Sequence, residues 1–357
     1  MPLTIGNVSL YVGPQQLGAS DNLEQVIIDF IDGAQKRLEI AVQEIDNWNI
    51  AKAIIRAKQR KVTTTVVLEG DYLISYPGLK DPYTEGGSLA HNREIFAALS
   101  RAGVNVKLDF NTSIFHQKFV IRDRESLLTG STNFTETGVT KNLNHIMIFK
   151  DKEISSIYYR EFREIMQGHF GKLNEGHDPT PDDTKVSGVP VRILFAPDHN
   201  PEMEIMKQMQ KAKSRVDFAI FTFSQSSGID DTMVVLEKAG ISVRGVFDGK
   251  AGNQSWAATR MVHDAGGEAY LASKTNPGGV IPGTLGKLHH KLMVIDEQVV
   301  IGGSFNYTGP ANALNDENIF IIGDMADATS AADQKKFGKY ALDEIDRIIQ
   351  VFGDKVV

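Results

Sequence analysis

The sequence predicts an α/β protein made of two related halves, each a mostly parallel sheet flanked by helices. Three observations lead there. A ladder of six residues, H-x-K-x4-D-x6-G-S-x-N, stands at His116, Lys118, Asp123, Gly130, Ser131 and Asn133. It stands again, 173 residues later, at His289, Lys291, Asp296, Gly303, Ser304 and Asn306. Around each copy, short apolar runs alternate with amphipathic segments of helical period, and the order of these segments repeats.

In the first half, VSLYVG (8–13) reads as a strand and NLEQVIIDFIDGAQ (22–35) as a helix capped by Ser20 or Asp21. RLEIAVQEI (37–45) is a second strand, IAKAIIRAKQR (50–60) an amphipathic helix, and β-branched VTTTVVLEG (62–70) a third strand. The polar loop 71–87, with Tyr72, Tyr76 and Tyr83, precedes a helix at 92–103 and the strand VNVKLDF. After the first ladder come the strand NHIMIFKD (144–151) and a long helix, 153–170. The second half replays this with VRILFAP (191–197), a helix at 202–214, RVDFAIFTFS (215–224), a helix at 231–240, ISVRGVFDG (241–249) and a last helix at 335–353. Glu69 and Asp248 close equivalent strands. Residues 171–190 carry prolines and glycines without periodicity, which predicts a linker between halves at 1–170 and 191–357. The second copy has a longer approach to its ladder, with a Gly/Pro-rich insert at 272–287. That insert and the 71–87 loop are expected walls of a site mouth.

With 357 residues, 41% hydrophobic and 23% charged, the chain can bury a core in each half. It has no cysteine, so neither a disulfide framework nor a thiolate metal site is open to it. The N-terminus has no signal-peptide pattern, and no apolar run approaches the ~20 residues of a membrane span. These features lead to the expectation of a cytoplasmic chain. A net charge of −7 argues against non-specific coating of nucleic acid but leaves a local basic groove open.

The ladder has chemical content. His and Lys two apart on a strand project from one face. The apolar run then turns at Asp123 or Asp296 and leads to Gly-Ser-x-Asn, where glycine lets the backbone approach a ligand. Two copies together offer two imidazoles, two ammoniums, two hydroxyls and two amides. That set suits a tetrahedral oxyanion, with the histidines dividing nucleophile and acid roles. A metal reading of the histidines and aspartates fails electrostatically, because each histidine has a lysine beside it. No cofactor is expected.

This doubled pattern resembles the phospholipase D superfamily, and the resemblance extends over both halves. It implies two pseudo-twofold-related halves with one phosphodiesterase site at their interface, so a monomer suffices. The catalytic set carried over is His116, His289, Lys118, Lys291, Asn133, Asn306, Ser131 and Ser304, with Asp123, Asp296, Gly130 and Gly303 structural. Family members commonly carry a carboxylate that bonds the motif histidine. Glu317 stands 28 residues after His289, but Asn144 stands 28 after His116. Pairing within each half would make His289, beside Glu317, the protonated acid, and His116, oriented by Asn144, the nucleophile. The second ladder resembles those of bacterial endonuclease-type members, and Lys141 and Lys287 are available for neighbouring phosphates. The expected substrate is therefore nucleic acid, cleaved without a metal through a phosphohistidine. The alternative is a phospholipase D or transphosphatidylase acting on phospholipid. A non-catalytic binding module is the weaker alternative, since neither ladder lacks a member.

Overall fold

The computed structural model describes all residues except 75–88, 175, 177 and 274–282. Most of the 71–87 loop, including Tyr76 and Tyr83, and most of the 272–287 insert lie outside the described residues, so their expected role as walls does too.

Each half forms one sheet, and the two sheets share a strand order. The first runs Leu3–Ile5, Val8–Gly13, Asn142–Phe149, Ser126–Gly130, Lys118–Arg122, Arg37–Val42, Thr63–Glu69, Asn105–Asp109. The second runs Thr184–Val186, Val189–Ala196, Glu317–Ile322, Val299–Gly303, Lys291–Ile295, Arg215–Ile220, Ser242–Asp248, Glu268–Ala272, with Gly353–Lys355 added at the edge. Helices flank both sheets, as an α/β fold requires. The expectation of mostly parallel sheets needs correction. Among the described residues, only the three strands joined by helical crossovers run parallel within each half. The ladder strands return by tight hairpins and the outer strands close antiparallel, because a short turn can only reverse the chain.

The helices follow the apolar spacing. Helix Leu23–Asp32 buries Leu23, Ile27, Phe30 and Ile31 on one stripe. Its cap is Asn22, not Ser20 or Asp21; the Asp21 carboxylate instead accepts from the Val12 backbone at 2.9 Å. Stretch 171–190 is less irregular than a linker, with a 3-10 turn at Gly171–Leu173 and a strand that hairpins onto Val189–Ala196.

Three cores result. The first half's outer helices and the second half's outer helices each cover one sheet face. The largest core is common to both halves, joining Ile157, Phe162 and Phe119 of the first to Phe195, Phe337, Ile345 and Phe352 of the second. The helices Lys152–Gln167 and Ala331–Phe352 both contribute to it. Each such side chain stabilises the fold by about 1.5–3 kcal/mol relative to exposure, so this core also holds the halves together. Among the described residues, no helix is long and apolar enough to cross a membrane.

Candidate active site

Both ladders fold alike. The hairpin between Lys118–Arg122 and Ser126–Gly130 turns through Asp123 and Arg124, both at positive φ (55° and 56°). The other turns through Asp296 and Glu297 (50° and 54°). The aspartates pin these turns to the start of the neighbouring strand. Asp123 accepts from the backbone N–H of Gln35, Lys36 and Arg37 at 2.6–2.9 Å. Asp296 accepts from those of Lys213, Ser214 and Arg215 and from Ser214 Oγ. Gly130 (φ 151°) and Gly303 (φ 140°) admit no side chain: a Cβ would lie 2.3 Å from the His145 carbonyl oxygen or 2.2 Å from that of Asn318.

These frames bring His116, Lys118, His289 and Lys291 together in a buried site. Lys118 Nζ donates to the His116 carbonyl at 2.8 Å, and Lys291 Nζ to that of His289 at 3.0 Å. Burial, then Lys118 and Lys291 acting together, holds both imidazoles well below their ordinary range. Burial also pushes Lys118 down to about 7 and lowers Lys291 well below its usual value.

The expected pairing of His289 with Glu317 and of His116 with Asn144 is overturned. His116 Nδ1 lies 2.7 Å from Glu317 Oε2, whereas His289 Nδ1 lies 2.9 Å from Asn144 Oδ1. Backbone pairing explains the crossing. The segment leading to each histidine runs as an added strand along the other half. His116 N–H donates to the Asp316 carbonyl, and Lys287–Leu288 pairs with Asn142–Leu143. Each histidine therefore meets the polar residue of the opposite half, a register that spacing along the chain cannot express.

The serines act on these partners. Ser304 Oγ donates to Glu317 Oε2 at 2.5 Å, and Ser131 Oγ to Asn144 Oδ1 at 2.8 Å. Asn144 Nδ2 donates to the Gly138 and Asn142 carbonyls, which turns its oxygen toward His289. His289 Nδ1 therefore carries the hydrogen, and its Nε2 is left for chemistry. Burial raises the Glu317 carboxyl to about 8 despite Lys118 and the Ser304 hydroxyl. Asn133 Nδ2 reaches Glu44 Oε1 at 3.3 Å, and Asn306 Oδ1 has no partner among the described residues.

Several residues escaped the sequence reading. Gln43 and Glu44 follow the strand Arg37–Val42, and their counterparts after Arg215–Ile220 are Phe221 and Thr222. Gln43 Oε1 accepts from Lys118 at 3.4 Å, whereas the Phe221 ring lies 4.9 Å from that of His289 and about 5 Å from Lys287 and Lys291. The site is thus polar on one side and apolar on the other. Phe221, Trp256, Lys250 and Lys287 line a cleft of about 540 Å³. Behind the ladders, His145 and His290 stack with Nδ1 atoms 3.2 Å apart. Gly303 N–H donates to His145 Nε2, so His145 donates to His290, whose Nε2 lies 3.4 Å from Glu344. The only signal in the chain was their position, each one residue after a site residue.

Chemically, the site sets two imidazoles in a bed of cations with one carboxylate, which fits a phosphodiester monoanion. Comparison with known proteins agrees. The family described as "Cardiolipin synthase, PLD-like domain" matches at residues 27–166 and 205–339. A mitochondrial cardiolipin hydrolase of Xenopus laevis is 29% identical over 135 residues, 38% of this chain and 57% of that protein. A phospholipase D of Rickettsia felis is 26% identical over 136 residues, 38% of this chain and 60% of that protein. The chain thus spans less than two thirds of either relative. The crystal structure of phosphatidylserine synthase from Haemophilus influenzae has the same fold, with TM-score 0.68 over 99% of this chain and 89% of that one, at 12% identity. With the family matching both ladders and most of the chain, this protein belongs to the phospholipase D superfamily.

Proposed function

We propose that this protein is a phosphodiesterase that acts on phospholipid headgroups, in place of the nucleic acid expected from the sequence. The shared site carries the reading: two histidines, each held by the opposite half, between two buried lysines. The lipid class is supported by the names of the matching family and relatives and by the apolar flank of Phe221 and Trp256. The Glu44 carboxylate beside Asn133 and the net charge of −7 also suit a single phosphate better than a polyanion.

In this reading His289 takes up a second proton on Nε2 as the anionic substrate binds beside it; His116 Nε2 then attacks phosphorus, forming a P–N bond as the P–O bond to the headgroup breaks, and the Nε2 proton of His289 passes to the leaving oxygen. Water, deprotonated by His289, then attacks phosphorus and releases His116. The nucleophile is assigned to His116 because a phosphorylated imidazole is cationic, and Glu317 at Nδ1 offsets that charge. The assignment equals the one made from sequence, but its reason is reversed by the crossed pairing. Lys118 and Lys291 neutralise charge on the phosphoryl oxygens, so no metal is needed at phosphorus. Both ladders lie in one chain, and a monomer is sufficient.

Vesicles of phosphatidylcholine, phosphatidylglycerol and cardiolipin, assayed beside single- and double-stranded DNA and RNA, test the substrate class. Headgroup release from lipid with nucleic acids intact is the expected result, and the converse overturns it. Acid quenching during turnover and peptide mapping should place phosphate on His116; phosphate on His289 reverses the roles.

A further inference from the structure

The two sides of the shared site differ in charge, and the difference bears on the alcohol that leaves. Glu69 and Asp248 close equivalent strands and hold equivalent points of the chain. They accept from the backbone N–H of Phe115 at 2.7 Å and of Leu288 at 3.0 Å, each one residue before a motif histidine. Their neighbours can therefore be matched. Two residues past each acid stand Asp71 and Lys250, and two residues before each histidine stand Ile114 and Lys287. The first half thus offers Glu44 and Asp71 where the second offers Thr222 and Lys250, and Lys287 stands in place of an aliphatic side chain.

The two lysines share one space. Lys250 and Lys287 line the cleft of about 540 Å³ with Phe221, Trp256 and Gln254. Both are exposed, and neither ammonium has an ion-pair or hydrogen-bond partner among the described residues. Lys287 Nζ stands 5.2 Å from the centroid of the Phe221 ring, whose other face-on neighbour is Lys291 Nζ at 5.1 Å and beside which the His289 imidazole packs at 4.9 Å. The cleft therefore opens from the second motif histidine. Asp248 also lines it, but both its oxygens are taken by backbone donors: Oδ1 accepts from Lys250 and Ala251, and Oδ2 from Leu288.

We infer that this cleft receives the leaving alcohol of the phospholipid and selects one that carries a phosphate monoester of its own. The inference rests on the proposed function, with His116 as nucleophile and His289 as acid. In-line displacement puts the departing oxygen opposite His116, beside the imidazole that protonates it. Phe221 packs on that imidazole, so the alcohol leaves along the wall that carries the lysines. A phosphate monoester brings a charge of about −1.5 to −2 at neutral pH, which two ammoniums match. A choline or ethanolamine cation would meet like charge there. Lysine binds phosphate as a point charge on a flexible stem, which suits a subsite that must release its product. Phe221 and Trp256, the latter 44% exposed, supply apolar faces for the carbon chain between the two phosphates.

The test presents lipids dilute in uncharged detergent micelles: phosphatidylglycerol phosphate, phosphatidylglycerol, phosphatidylcholine and cardiolipin, each followed as kcat/KM. One exposed charge pair contributes up to about fivefold. Two lysines should therefore favour phosphatidylglycerol phosphate over phosphatidylglycerol by roughly tenfold. Lys250→Glu and Lys287→Glu, both at exposed positions, should each lower that ratio about fivefold or more, chiefly through KM. A second arm does not depend on lipid turnover. Glycerol 3-phosphate, the alcohol released, should inhibit turnover of bis(p-nitrophenyl) phosphate more strongly in the wild type than in either variant, relative to inhibition by inorganic phosphate. If no lipid is cut, the proposed function fails and the inhibition arm still decides the subsite. Equal rates on phosphatidylglycerol phosphate and phosphatidylglycerol, or wild-type ratios in both variants, overturn the subsite alone. Equal relative inhibition of all three proteins by glycerol 3-phosphate overturns it too. Cardiolipin, whose second phosphate is a bridging diester, cut as fast as phosphatidylglycerol phosphate would overturn the selection of a monoester.

Discussion

Replacing Glu317 by Gln keeps an oxygen for Ser304 Oγ and His116 Nδ1 while removing the negative charge between them. Two consequences follow, on different observables. The lost interaction is a charge-assisted hydrogen bond at 2.7 Å to an imidazole that becomes cationic during turnover. Such bonds contribute about 1.5–3 kcal/mol, so above a pH of about 8, where the Glu317 carboxyl is ionised, kcat should fall about 10- to 150-fold. Stability responds to pH in the other direction. Burial moves the Glu317 carboxyl from 4.5 to about 8, so between these values the folded chain keeps a proton that the unfolded chain has released. The stability this gives is complete below 4.5 and is lost as pH rises toward 8. Each unit is worth about 1.4 kcal/mol, an upper bound of about 5 kcal/mol over the interval. Because Lys118 and Lys291 titrate with it, on the order of 2 kcal/mol is expected from Glu317 itself. Urea unfolding of wild type and Glu317→Gln at pH 5, 6, 7 and 8 measures the difference, with turnover of bis(p-nitrophenyl) phosphate followed at pH 9. The wild type should lose stability relative to the variant as pH rises. A parallel pair of stability curves would refute the buried-carboxylate reasoning, and unchanged kcat would refute the role at His116.

Other expectations are simpler. His116→Ala and His289→Ala should each reduce turnover to background, because one site needs both; half the activity surviving in either would mean two independent sites. Gly303→Ala places a Cβ 2.2 Å from the Asn318 carbonyl at φ 140°, so a loss of about 3 kcal/mol or more in chemical unfolding is expected, and a near-neutral result would mean the strand can shift. Asp296→Asn should destabilise by roughly 2 kcal/mol at pH 7 through weakened bonds to residues 213–215. Burial opposes but does not outweigh the Ser214 and backbone donors that hold the Asp296 carboxyl below 3.8. This stability is present above 3.8 and lost as pH falls through the lower folded value, so the gap between variant and wild type should close in acid.

Much of this protein was legible along the chain because it depends on local periodicity. The ladder residues, their hairpins and the strand–helix alternation are set by neighbours within a few residues, and a duplicated spacing is visible without any fold. Asp123 and Asp296 could be separated from the chemistry because both stand where a strand turns. Pairing across the interface left no such trace. Glu317 and Asn144 were found by counting 28 residues from each histidine, yet which histidine each serves depends on backbone pairing between segments about 200 and 145 residues apart. The same holds for His145 and His290, which stand 145 residues apart in the chain and stack only where the two halves meet. Charge balance in a buried site is a sum over space, and only the tertiary structure brings the terms of that sum together.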